Sequence, residues 1–211
     1  MNNIIKILLL FVILLSCNID NREEESNRYE VISILFDKLT QPIDLVFPPP
    51  PPPDSLNYVF KLKDSIRIDS IIKKVKAERE NKKFIVAVHP LFNSYVNGSR
   101  KGKDCFGFDE TINKLMTIKD SLNVDINKII TKRKDSIIYF KEELILKGRK
   151  DYETFDILIS FSHVSFNEDY TKAVMVGSVS TSRLAGTTIL YFLEKIDNKW
   201  IIKCQETLSI S

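Results

Sequence analysis

Apolar residues recur at helical spacing between Tyr29 and Leu39, where Ile32, Leu35, Phe36 and Leu39 share one face and predict a short helix. The β-branched residues in the same stretch also permit a strand. Between Asp64 and Arg79, Ile68, Ile71, Ile72 and Val75 line one face and Lys73, Lys74 and Lys76 the others, which predicts an amphipathic helix. Phe84–Val88 is a short apolar run stopped by His89 and Pro90 and reads as a buried strand. Asp109 is positioned to cap a helix running to about Leu122, with Ile112, Leu115, Met116 and Leu122 toward the core. Asp125–Lys132, with Ile126, Ile129 and Ile130, reads as another helical stretch, and Ser136–Leu144 carries mixed signals that assign no class.

The last third of the chain alternates. Phe155, Ile157, Ile159 and Phe161 fall on every second position, and further strand-like runs cover Ala173–Val179, Thr187–Ile196 and Trp200–Cys204. Asp197 and Asn198 lie between the last two runs, and both tolerate the positive φ of a tight hairpin. On this face pattern Trp200, Ile202 and Cys204 point together into the core. Helices followed by an antiparallel meander give an α+β class. A curved sheet crossed by helices, as in NTF2-like or cystatin-like folds, is the expected architecture, built as a single domain over residues 28–211.

Composition agrees. Of the 211 residues 44% are hydrophobic, enough to bury a core, and the 6 glycines and 3 cysteines exclude collagen-like and disulfide-dense frameworks. Lys+Arg 31 against Asp+Glu 28 gives a formal +3, which provides no electrostatic footprint for nucleic acid.

The N-terminus changes the picture. Lys6 precedes an unbroken apolar run from Ile7 to Leu15, followed by Ser16 and Cys17, the layout of a secretion signal over residues 1–16 cleaved between Ser16 and Cys17. The run spans about half of the roughly 20 residues a membrane-crossing helix needs. Leu14-Leu15-Ser16-Cys17 resembles the lipobox of bacterial lipoproteins. That resemblance implies an acylated Cys17 as the mature N-terminus, with a lipid bilayer as its partner and localisation at an envelope membrane, periplasmic or surface-exposed. Polar, acidic residues 17–27 read as a flexible tether. Acidic residues this close to the cysteine partly resemble a surface-display signal of Bacteroidota lipoproteins, although Asn18 and Ile19 come first. Six consecutive prolines, Pro48–Pro53, force polyproline II, a semi-rigid spacer of roughly 19 Å.

The stretch Phe161–Val174, together with Leu193–Trp200 and the terminal Ser209–Ser211, is similar to a group of uncharacterised lipoproteins from Bacteroidota. The likeness covers about the last 55 residues. It implies a shared exported fold and carries no activity. The chain departs from that group in the turn at Thr181–Gly186, where the group bears Gly and Cys, and at Leu208, where it has a tryptophan near the end.

Candidate chemistry is sparse. With Cys17 lipidated, Cys105 and Cys204 remain, either as one disulfide in an oxidising compartment or as two free thiols. His89 and His163 have no metal-ligand spacing and neither carries a local signature of cysteine catalysis, so neither a metal, another cofactor nor a catalytic residue is assigned. Arg100, Lys101 and Lys103 form a basic loop that can hold an anion, although the loop lacks the spacing of a phosphate-binding motif. Lys132, Arg133 and Lys134 form a second basic cluster. The reading that follows is an envelope lipoprotein with a non-catalytic domain that binds a protein or small molecule. The alternatives are a hydrolase-like enzyme using the sheet pocket and an immunity- or inhibitor-like lipoprotein.

Overall fold

In a computed structural model, residues 22–41, 82–95, 105–144 and 154–211 are described, with the separate positions 70, 73, 74 and 77. The chain divides into two units, one of Met1–Thr40 with Phe84–Ser211 and the other Gln41–Lys83. In the second unit, positions 70, 73, 74 and 77 are helical, inside the helix expected over Asp64–Arg79, whose apolar positions lie outside the described residues. Residues 1–16, expected to be a signal peptide, Cys17 and the prolines 48–53 also lie outside them.

The first unit is an α+β fold built on one seven-stranded mixed sheet. Its strands are β1 (Ile85–Val88), β2 (Ser136–Tyr139), β3 (Ile157–Phe161), β4 (Ser165–Phe166), β5 (Lys172–Ser182), β6 (Ala185–Ile196) and β7 (Lys199–Ile210). They run in the order β2-β1-β3-β5-β6-β7, with β4 pairing to β5. The β3-β5-β6-β7 part is antiparallel, as the alternation predicts, and Asp197 and Asn198 turn the last hairpin at φ 49° and 60°. The meander is incomplete, however, because β1 pairs parallel with both β2 and β3.

Helix α1 spans 22–39. It begins inside the stretch read as a tether, a correction with a plain cause: Glu23, Glu24 and Glu25 sit in its first turn, where negative charge suits the helix dipole. Val31, Ile32, Leu35 and Phe36 are fully buried against one face of the sheet, here the first face. The helix stops at Thr40, whose hydroxyl bonds the Phe36 carbonyl, one residue before Gln41, and Pro42 disfavours helical geometry there. The first-face core joins α1 to Val86, Val88, Ile157, Ile159, Phe161, Met175, Tyr191 and Trp200.

Gly177 on β5 sets how closely α1 lies. A Cβ there would meet Leu39 Cδ1 at 3.0 Å and Tyr191 Cε2 at 3.3 Å. Gly177→Val is therefore expected to cost about 1–3 kcal/mol through overpacking. The check is the urea midpoint; an unchanged midpoint would mean that α1 does not approach β5 this closely.

Helix α2 (Asp109–Thr117) packs on the opposite, second face, where Phe108, Ile112 and Leu115 meet Val174, Val176, Leu190 and Phe192. Asp109 is not its cap. Phe108 occupies the cap position with no side-chain hydrogen bond, and Asp109 and Glu110 act on the dipole from the first turn. The helix ends at Thr117 instead of Leu122, with Ile118 already extended.

The helix expected over Asp125–Lys132 is a single 3-10 turn, Ile126–Lys128, in an otherwise extended strap. Side chains elsewhere take up its backbone donors. Asp125 N–H donates to Tyr29 Oη, Ile130 N–H to Ser33 Oγ and Lys132 N–H to Asp37, all from α1. Lying along α1 satisfies these groups without helical bonds.

Candidate functional site

Directly paired residues on neighbouring strands share a face, so register decides what the second face presents. Ser160 on β3 pairs with Ser178 on β5, Ser178 with Thr188 on β6, and Thr188 with Ser209 on β7. Four hydroxyl residues thus stand in one rank across four strands. At the usual interstrand spacing of about 4.8 Å the rank is roughly 14 Å long. The parallel row beside it pairs Leu158 with Ser180 and Ser180 with Gly186, and Gly186 exchanges both backbone hydrogen bonds with Ser211.

Two irregularities in β7 create this arrangement. Phe192 pairs with Cys204 but Leu193 with Ile202, so one extra residue, Lys203, reverses the alternation. Trp200 and Ile202 stay on the first face, while Cys204 turns to the second; the expectation that all three point into one core is corrected. A second irregularity falls between the pairs Thr188–Ser209 and Ile189–Thr207, and it brings Ser209 to the second face next to Leu208.

Cys204 then meets Cys105, and the two are joined as a disulfide with Cα atoms 6.1 Å apart. Of the two alternatives left by the sequence, the bonded one is present. It fixes the start of the segment leading into α2 to β7, so α2 covers one half of the second face and, among the described residues, leaves the hydroxyl half open.

That open half forms a groove in two adjoining parts, of about 290 and 180 Å3. His89, Asn93 and Tyr95, from the segment following β1, form its wall. Ser178 Oγ and Thr188 Oγ1 lie 3.0 Å apart and share a hydrogen bond. Ser162, at the buried end, donates to the His163 carbonyl at 2.8 Å and accepts from Val176 N–H at 2.7 Å. The groove has many groups able both to donate and to accept, and no Lys, Arg, Asp or Glu side chain among the described residues that line it.

A larger cleft of about 440 Å3 lies at the start of α1, between Arg22, Glu25, Tyr29 and Lys128. Two of its charges meet: Lys128 Nζ contacts Glu25 Oε1 at 2.6 Å, and that hydrogen bond raises the Lys128 pKa. Burial raises the Tyr29 hydroxyl, which accepts from Asp125 N–H. This cleft reads as the seam between α1 and the strap.

The residues singled out in the sequence fall apart. His163 is buried, its Nε2 2.6 Å from the Asp120 carbonyl and its ring beside Phe92, a structural position. His89 reaches the groove, but its Nδ1 is engaged with the Leu91 backbone. Arg133 pairs with Asp135 and lies over the Phe84 ring. Ser16, Cys17, Arg100, Lys101 and Lys103 lie outside the described residues. Among the described residues no group of three His, Cys, Asp or Glu is placed to hold a metal.

The hydroxyl rank was missed in the sequence. Its signal was there as polar residues alternating inside strands, at Ser160, at Ser178 and Ser180, at Thr188 and at Ser209; the register that aligns them was not. No family model matches the chain, and no curated protein or solved structure matches it.

Proposed function

We propose that this chain is an envelope lipoprotein whose α+β domain is a non-catalytic binding module, held at a membrane by an acylated Cys17. The observation that carries the binding reading is the open rank Ser160–Ser178–Thr188–Ser209, a groove of hydrogen-bonding groups on rigid strands. Catalysis finds less support. His89 is turned onto its own backbone, His163 is packed in the core and Cys105 is bonded to Cys204, so none is paired with a nucleophile or base at the groove. The disulfide fits an oxidising compartment, as an exported protein requires. Anchoring rests on Leu14-Leu15-Ser16-Cys17 after the apolar run.

The test is Cys17→Ala in the native host, followed by fatty-acid labelling and mobility on a gel. The expected result is an unprocessed precursor that takes up no label. Normal processing and labelling of that variant would overturn the lipoprotein reading.

A further inference from the structure

We infer that the groove on the second face takes an uncharged oligosaccharide lying across the strands along the rank Ser160–Ser178–Thr188–Ser209; this rests on the binding-module reading. Charge is the first argument. Charged side chains make up 28% of the chain, yet no Lys, Arg, Asp or Glu is among the described residues that line this groove. A phosphate or carboxylate entering it would lose water and gain no counter-charge from these side chains, which costs several kcal/mol per ion. A neutral ligand escapes that cost.

The second argument is the kind of hydrogen bonding on offer. Each hydroxyl donates once and accepts twice, the same repertoire as a sugar hydroxyl, so a polyhydroxylated chain can match the rank whichever way its hydroxyls rotate. Among the described residues the hydroxyls of Ser160 and Ser209 have no partner within the chain, so the two ends of the rank hold unspent groups. Short side chains on paired strands also lose little rotamer freedom on binding.

The third is shape. A rank of about 14 Å suits a chain of rings better than one small molecule. The half-buried ring of Tyr95 and the exposed amide of Asn93 border it, adding one apolar surface and one polar group.

The experiment is amide chemical-shift mapping on the purified, isotope-labelled full chain, with three kinds of probe. Cellohexaose, maltohexaose and chitohexaose are the neutral saccharides, hexagalacturonate the acidic one, and a pool of decapeptides the competing class. Expected is movement of the Ser160, Ser178, Thr188 and Ser209 amides with at least one neutral hexasaccharide, and not with hexagalacturonate or the peptides. The variant Ser178→Ala/Thr188→Val removes both partners of one hydrogen bond, so it leaves no orphaned group and holds the melting temperature. It should weaken saccharide binding about tenfold or more.

Movement of these four amides by hexagalacturonate or the peptides, alone or equally with the neutral saccharides, would overturn the ligand class while leaving the groove as a binding site. No movement with any probe, or movement confined to other residues, would overturn the ligand class and withdraw the support that the groove lends to the binding-module reading. Undiminished binding by the double variant would overturn the role of the rank.

Discussion

Trp200→Ala lowers the stability of the domain by about 3–5 kcal/mol, as expected for truncating a large aromatic in a packed core. In a chain of this length that is a fall in Tm of roughly 10 °C. The residue is the second of β7, just after the hairpin, is 4% exposed, and packs its ring against Phe166 with centroids 5.7 Å apart. It also closes a polar latch across the chain. Asn27 of α1, itself buried, accepts through Oδ1 from Trp200 Nε1 at 3.1 Å and from Lys195 Nζ at 2.8 Å, and donates through Nδ2 to the Glu23 carbonyl. The Lys195 ammonium stands over the indole ring, 5.5 Å from its centroid. Truncation therefore removes apolar area and one donor to a buried oxygen, and weakens the attachment of α1 to the last hairpin. Trp200→Phe separates the two effects. It keeps most of the ring and leaves Lys195 on Asn27, so a loss of about 1 kcal/mol is expected. Thermal melts of both variants are the measurement. An unchanged Tm for Trp200→Ala would mean that this end of β7 is not packed on α1.

How much of this was legible beforehand depends on whether a residue's role was local. Ile32, Leu35, Phe36 and Leu39 gave α1 because one helical face needs only spacing, and Ile157, Ile159 and Phe161 gave β3 because alternation needs only parity. Asp197 and Asn198 gave the hairpin from their own backbone preferences. The parallel partners of β1 were invisible, because four apolar residues state that a strand is buried and not which way its neighbours run. The strap after Asp125 read as helix because its isoleucines have helical spacing, while its hydrogen-bond partners Tyr29, Ser33 and Asp37 lie almost a hundred residues earlier. The groove failed in the same way. Each serine or threonine was an ordinary polar position in its own strand, and only the pairing of four strands made them a rank.

The disulfide is where that non-local information has its largest energetic consequence. Cys105 and Cys204 are 99 residues apart in sequence, and closing a loop of that size removes chain entropy from the unfolded state worth up to about 4–5 kcal/mol in the simplest account. Cys105→Ser/Cys204→Ser is therefore expected to lose about 2–5 kcal/mol of unfolding free energy, measured by urea titration. Reductant should reproduce that loss in the native chain and do nothing further to the double variant. Equal midpoints with and without reductant would show that the two sulfurs are not bonded. The loss should also be uneven. The bond ties the segment before α2 to β7, and both cysteines pack with Phe108, Ile112, Leu115 and Phe192 on the second face, whereas α1 is held on the first face by Asn27 and its own apolar stripe. Hydrogen exchange should accelerate more in α2 than in α1 when the bond is cut. Equal acceleration in both helices would mean that the two faces of the sheet unfold as one unit and that the bond supports the whole fold instead of the cover beside the groove.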